Sequence, residues 1–405
     1  MDSLSRRILN LQIRKNRVFD MNILKAIKTL IEGRVPLMGE IPDSLLDIVA
    51  TVTSIRGKFS RLSSLERVIT TIRHKEPDRP PVMTLLGGAA RQITGISFPE
   101  YSQDAEKAAE VFMSGFDLIG GDIIILMWDL SVEAADFGQK VIFPENSTPY
   151  RDYSDPLIKD VEDYTRLRPV SVSETRRMKE FVKLCEIMVK RAGLRALVSG
   201  FTFGPLGVLS MMRGVENLFK DCIHYPEKVI KACEAITETL LEYVQLQCDT
   251  GLPAIAIDTL YASWNGLPKH LWEAIEGPFV REMSRLIKRN GLVMGFHNCG
   301  HGFYMDSQIK FMEPDVVSFA FLPDDCKTEG ELKEKYGDKI TLLGYIPTQL
   351  LAHGTPKEVM DESVRQVEVF GKDGGFILAP GCEYPPNIPL TNAFAMVKAV
   401  ERYSR

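Results

Sequence analysis

The chain predicts an α/β fold, a (βα)8 TIM barrel over residues 63–405 preceded by an N-terminal helical extension over 1–62. Three observations point to it. Short β-rich apolar runs alternate with longer segments of helical spacing, the pattern of βα units on a parallel sheet. There are eight such runs, and the 343 residues from Ser63 onward accommodate eight βα units with insertions, about 250 residues being usual. Finally, no G-x-G-x-x-G or Walker A turn follows the first run, as a doubly wound open sheet would usually have.

The elements follow in order. In the extension, Leu4, Ile8, Leu9 and Leu11, then Ile23, Leu24, Ile27 and Leu30, keep helical spacing, with Pro36 and Pro42 as breaks. The first 60 residues hold ten Lys/Arg against six Asp/Glu, so this segment is basic while the remainder carries about −9. Strands are expected over 81–86, 122–127, 196–201, 254–258, 292–299, 316–320, 340–346 and 376–382. The helices expected after them cover 104–116, 174–192, 206–249 in more than one piece, 270–290, 303–311, 328–336, 356–370 and 390–403. A long irregular stretch, 131–167, separates the second strand from its helix.

Composition narrows the classes. The chain has 405 residues, of which 45% are hydrophobic and 25% charged, as in ordinary globular proteins. Its longest apolar runs, such as 123–128, are far shorter than the roughly 20 residues of a membrane span, and no signal-peptide core follows the first methionine. A cytoplasmic location is therefore expected. Seven cysteines spread thinly through the chain suit reduced thiols better than a disulfide framework. The net charge of −5 gives no reason to expect a nucleic acid partner.

A barrel places its active site at the carboxyl ends of the strands, so the polar residues ending the runs are the candidates. The second run ends in Trp128-Asp129, with Glu133 close behind, and the fourth in Asp258. The fifth ends in His297-Asn298-Cys299-Gly300 and the eighth in Gly381-Cys382-Glu383. His297 and Cys299 are two apart, so they project to one face of the pleat. Cys382 joins them only if the barrel closes. One imidazole and two thiolates suit zinc, and three protein ligands with an open fourth position mark a catalytic site. A buried cysteine is more often a small hydrophobe, so the spacing alone leaves both readings open. His301 is a reserve ligand. Asp129, Glu133 and Asp258 are candidates for proton transfer or substrate hydrogen bonding, Glu133 serving equally well as a cap or ion-pair partner. Glu383 can orient a ligand or close the fourth position. Trp128, Tyr261 and Trp264 are pocket or core aromatics, and Met211, Met212 and Met294 are packing residues.

Several segments resemble the uroporphyrinogen decarboxylase superfamily, and more narrowly its zinc-dependent corrinoid methyltransferase branch. They are His297-Asn298-Cys299-Gly300, Gly344-Tyr345-Ile346-Pro347, the stretches 351–358 and 377–382, Glu66-Arg67-Val68 through Val82, and Gly204-Pro205 with Met212-Arg213-Gly214. The resemblance implies that His297, Cys299 and Cys382 hold a catalytic zinc. It also implies methyl transfer between a small substrate and cobalt. No D-x-H-x-x-G signature occurs, so the corrinoid is expected on a separate partner protein. The substrate is either a thiol that accepts the methyl group or a methyl ether that donates it. The absence of so long a leader in the coenzyme M enzymes tilts the expectation towards an O-methyl compound, possibly an aromatic one. The decarboxylases compete, since fold does not decide function. They pair eight substrate carboxylates with an arginine-rich early segment, whereas 85–92 here holds only Arg91. The extension is expected to pack on the barrel, on a second copy in a homodimer, or on the corrinoid protein.

Overall fold

A computed structural model describes residue 41 and residues 43–403. The apolar stripes at 4–11 and 23–30 lie outside the described residues. Seven parallel strands form one sheet in sequential neighbour order: β1 (Ile123–Ile125), β4 (Leu197–Phe203), β5 (Ala254–Asp258), β6 (Val293–Asn298), β7 (Val316–Phe319), β8 (Thr341–Leu343) and β9 (Phe376–Ile377). The two others, β2 (Val141–Ile142) and β3 (Tyr150–Arg151), pair as an antiparallel hairpin inside the stretch expected to be irregular.

The expected strand over 81–86 is reduced to a single bridge, Val82 to Leu378. Pro81 has no N–H to give a ladder, and Leu85 and Gly87 have φ of +44° and +43°, which turn the chain out of extended geometry. The segment still closes the ring. On one side Leu378 N–H donates to Pro81 O and Met83 N–H to Leu378 O, while on the other Asp122 N–H donates to Val82 O at 2.7 Å. At 81–83 closure is thus made by three backbone–backbone hydrogen bonds where a full strand would make more.

Side chains alternate along each strand, so Ile123, Ile125, Leu197, Ser199, Ala254, Ala256, Val293, Gly295, Val316, Ser318, Leu343 and Ile377 face the barrel interior. Small residues at Gly295, Ala254 and Ala256 leave room for the larger ones opposite. The lower end is plugged by the helix Ser64–Ile72, whose Val68 and Ile72 reach into the interior. Its start is fixed by a capping box in which Ser63 and Glu66 satisfy each other's backbone N–H groups. The preceding helix, Asp43–Gly57, packs on this plug through buried Leu46, Ala50 and Thr53, with Thr53 Oγ1 2.6 Å from Thr70 Oγ1. Outside the sheet, the expected segment 206–249 divides into Pro205–Arg213, Val215–His224 and Pro226–Asp249. The first break falls at Gly214, where φ is +91°. No helix among the described residues is long and apolar enough to cross a membrane.

A buried ionic knot ties the plug to the closure. Arg67 donates to Asp78 Oδ1 at 2.7 Å and to Asp122 Oδ1 at 2.6 Å, and Asp122 Oδ2 accepts from Arg79 at 2.8 Å and from Val82 N–H at 2.9 Å. Removing one partner strands the others in a low-dielectric interior. Arg67→Met is therefore expected to cost about 3–5 kcal/mol of unfolding free energy in a urea titration. An unchanged midpoint would show that the knot does not hold the barrel closed.

Candidate metal centre

The parallel register sets three polar side chains level across neighbouring strands. Asp258 on β5 pairs with His297 on β6, and His297 pairs with Ser318 on β7. All three point into the upper end of the barrel, where they line one cavity of about 120 Å³ together with Cys299, Cys382 and Glu383. Its walls are otherwise apolar, Ile125, Met127, Phe201, Phe203 and Leu260 among them.

His297, Cys299 and Cys382 come together here, with their ligand atoms all within 4.8 Å of one another. Each is positioned by its own stretch of backbone. Cys299 stands one residue beyond β6 and two beyond His297, so it keeps the inward face. The intervening Asn298 points away and pins the turn, since its side-chain amide donates to Thr259 O at 2.8 Å and its Oδ1 accepts from Gly300 N–H at 2.8 Å. Cys382 ends the stretch after β9, which Ile346 holds through the hydrogen bonds Ile346 N–H to Ala379 O and Gly381 N–H to Ile346 O, each 2.8 Å. Gly381 is needed there, because a Cβ would lie 2.9 Å from Ala320 Cα.

The donor set fits a zinc-like ion. Two thiolates and an imidazole bind at about 2.3 and 2.0 Å respectively, so donors sharing one ion sit within a few ångströms of one another, as these do. His297 Nδ1 lies 2.9 Å from Ser318 Oγ, which leaves Nε2 as the ring nitrogen available to the ion and fixes the imidazole's rotation. The thiols share charge unequally. The hydrogen bond from Cys299 holds Cys382 well below the usual thiol range against the effect of burial, and His297 adds to the lowering. Cys299 moves the opposite way, raised by its hydrogen bond to Cys382 and by burial. Burial alone would lower His297, but its contact with Cys382 and the charge of Asp258 raise it.

Two carboxyl groups share the cavity. Burial pushes Asp258 up to about 6, opposed by His297 and reinforced by Cys382, and its Oδ1 accepts from Leu260 N–H at 2.9 Å. Glu383 lies against the 3-10 turn Gly87–Ala90 and is pushed up to about 8 by burial, with Cys382 adding to the rise. A Cβ at Gly87 would meet its Oε1 at 2.5 Å, and the φ of +43° there favours glycine in any case.

The other sequence candidates lie elsewhere. Asp129 is buried but outside the cavity lining, paired with Arg177, and it accepts from Ser131 N–H and Oγ at 2.9 and 2.6 Å. Glu133 sits behind β4, accepting from Thr202 Oγ1 at 3.1 Å and Phe203 N–H at 3.2 Å, and burial raises it to about 7. His301 is exposed, its ring stacked on Phe321 at 3.5 Å, and is not one of the clustered ligands. Trp128 is buried against Phe181, Tyr261 packs edge-on to Phe219, and Trp264 is exposed. Arg91, the one arginine of its segment, stacks over Phe98 and donates to Ile96 O. Ser318 was not singled out by sequence, and Asn298 entered only as part of the His297-Asn298-Cys299-Gly300 motif, without a role of its own. A lone serine in the apolar run 316–320, in phase with His297 once the strands are aligned in register, was the available signal for the first.

The profile of the uroporphyrinogen decarboxylase (URO-D) family matches residues 63–403. The chain belongs to that family. Within it, the chain is 23% identical over 343 residues to the methylcobamide:CoM methyltransferase MtbA of Methanosarcina acetivorans, covering 84% of this chain and 97% of the relative. It is 26% identical over 348 residues to the uroporphyrinogen decarboxylase of Geotalea uraniireducens, covering 82% and 96%. A solved methyltransferase from Methanosarcina mazei superposes with a TM-score of 0.72 at 20% identity, covering 85% of this chain and all of that one. That likeness confirms the URO-D barrel.

The Ser318 contact yields a prediction for this URO-D protein. Ser318→Ala is expected to lower zinc affinity by about 10–100-fold in a chelator competition while leaving the thermal midpoint nearly unchanged. Equal affinity for the two proteins would remove Ser318 from the account.

Proposed function

We propose that this URO-D protein is a zinc-dependent methyltransferase that moves a methyl group between a small substrate and the cobalt of a separate corrinoid protein. The observation that carries the reading is the convergence of His297, Cys299 and Cys382 in one cavity. Pyrrole decarboxylation needs no metal, and a substrate with eight carboxylates calls for cations that this cavity lacks. Among the described residues its lining contains no Arg or Lys and two acidic side chains. The names of the methyltransferase relatives point the same way, MtbA acting on methylcobamide and CoM.

Zinc, when bound, supplies Lewis acidity to an oxygen or sulfur of the substrate. The chain's residues do the rest. His297, Cys299 and Cys382 hold the ion with one position open, and Ser318 keeps the imidazole in place. Asp258 and Glu383 stand beside the ligands, where they hold or deliver a proton at the substrate heteroatom. Phe201, Phe203 and Leu260 exclude water from that atom. Asp129 and Glu133 brace the barrel rim through Arg177 and the end of β4. Two forms of the reaction suit this arrangement. An O-methyl compound donates its methyl group, the form the sequence favours, or a thiol accepts one, the form favoured by the name of a second relative, the methylated-thiol--coenzyme M methyltransferase of Methanosarcina mazei, 23% identical over 345 residues.

Incubating the purified protein with a corrinoid protein and a panel of methyl ethers, methylamines and thiols, while following the cobalt spectrum, tests the reading. Cys382→Ala is expected to lose more rate than the roughly 10–100-fold that an outer-shell change costs. Uroporphyrinogen turnover by the metal-stripped protein would replace this reading with decarboxylation.

A further inference from the structure

Two stripes run along the helix Asp43–Gly57, and the plug covers one of them. Leu46, Ala50, Thr53 and Gly57, spaced 4, 3 and 4 residues apart, form the buried stripe. Ile48, Val52, Ile55 and Phe59 repeat that spacing two residues further on, roughly 200° round the helix axis, and are between 56% and 86% exposed. Phe59 stands in the turn after the helix, where its N–H donates to Arg56 O at 2.9 Å, and so continues the stripe. Val49 lies beside it, also exposed. Single exposed apolar side chains are ordinary, but a continuous strip of them marks a contact surface. Spacing of 4, 3 and 4 is that of a coiled-coil seam. It also reads the same in both directions, so the stripe meshes with a copy of itself running antiparallel, as a closed two-fold dimer requires.

We propose that this stripe joins two copies of the chain as an antiparallel helix pair about a two-fold axis. Val52 of one copy then meets Ile55 of the other, and Ile48 meets Phe59. The charges of the helix favour that direction over a parallel one. Asp43 and Asp47, both exposed, stand at its start, whereas Arg56 and Lys58 stand at its end, so antiparallel copies set acidic ends beside basic ends and parallel copies would set like charges together. The pair forms at the lower end of each barrel, where this helix packs on the plug. Both upper ends, with His297, Cys299 and Cys382, stay open, and each copy keeps its own ligand cluster whole.

Sedimentation of the purified full chain is expected to show a dimer at micromolar concentration. Val52→Glu buries a carboxylate in the seam and is expected to weaken association at least about tenfold, with helix content by circular dichroism unchanged. A chain that sediments as a monomer, or a dimer that Val52→Glu leaves equally tight, overturns the proposal. Cross-linking reads the direction. Oxidising a mixture of the Ile48→Cys and Phe59→Cys proteins is expected to give a disulfide between positions 48 and 59 of different copies, identified by peptide mass, and neither protein alone is expected to link through its new thiol. A link within the Ile48→Cys protein alone would show a parallel pair and contradict the two-fold arrangement. Binding of a monomer to vesicles of anionic lipid, lost in Val52→Glu, would assign the stripe to a membrane surface instead.

Discussion

Cys382 meets His297 and Cys299 only because the barrel closes, and closure runs through the short stretch 81–83. That stretch hydrogen-bonds to Leu378 on one side and Asp122 on the other, and Asp122 is in turn locked to Arg67 and Arg79. The stretch from Leu378 to Gly381 is held by the same closure and by Ile346, and it delivers the second thiol to the mouth. A candidate metal site assembled from β6 and the stretch after β9 thus depends on contacts at the opposite end of the sheet. Ligand placement and barrel stability are one problem in this fold.

The upper end of the barrel concentrates what an apolar interior normally rejects. Two thiols, an imidazole and two carboxyl groups line about 120 Å³, and burial raises both acids. Such a cluster is expensive unless positive charge compensates it, and among the described residues no lysine or arginine lines the cavity. A divalent cation meets that need with the ligands it prefers. The same absence of cationic side chains from the lining, among the described residues, supports both the proposed metal and the proposed rejection of a polyanionic porphyrinogen.

Much of this was readable in the sequence, for identifiable reasons. The strand over 254–258 falls where the apolar run places it, and 292–299 and 316–320 differ from it only at their ends, because continuous runs bounded by polar or glycine residues define buried parallel strands. The expected strand over 81–86 fails where proline removes a donor and positive φ at Leu85 and Gly87 turns the chain. The period of two put His297 and Cys299 on one face, and strand ends supplied Asp258 and Cys382. What sequence could not supply was register. Only the alignment of β6 with β7 makes Ser318 the partner of His297, and only the fold reveals that Asp129 is met by Arg177 and Glu133 by Thr202 and the backbone of Phe203.

The central claim is that His297, Cys299 and Cys382 form an open three-ligand zinc site. X-ray absorption at the zinc edge of the purified protein tests it most directly. The account predicts two sulfur scatterers at about 2.3 Å and two lighter ones near 2.0 Å, one of them exchangeable with an added ligand. A protein that takes up no zinc, or a spectrum with four non-exchangeable protein ligands, would contradict it.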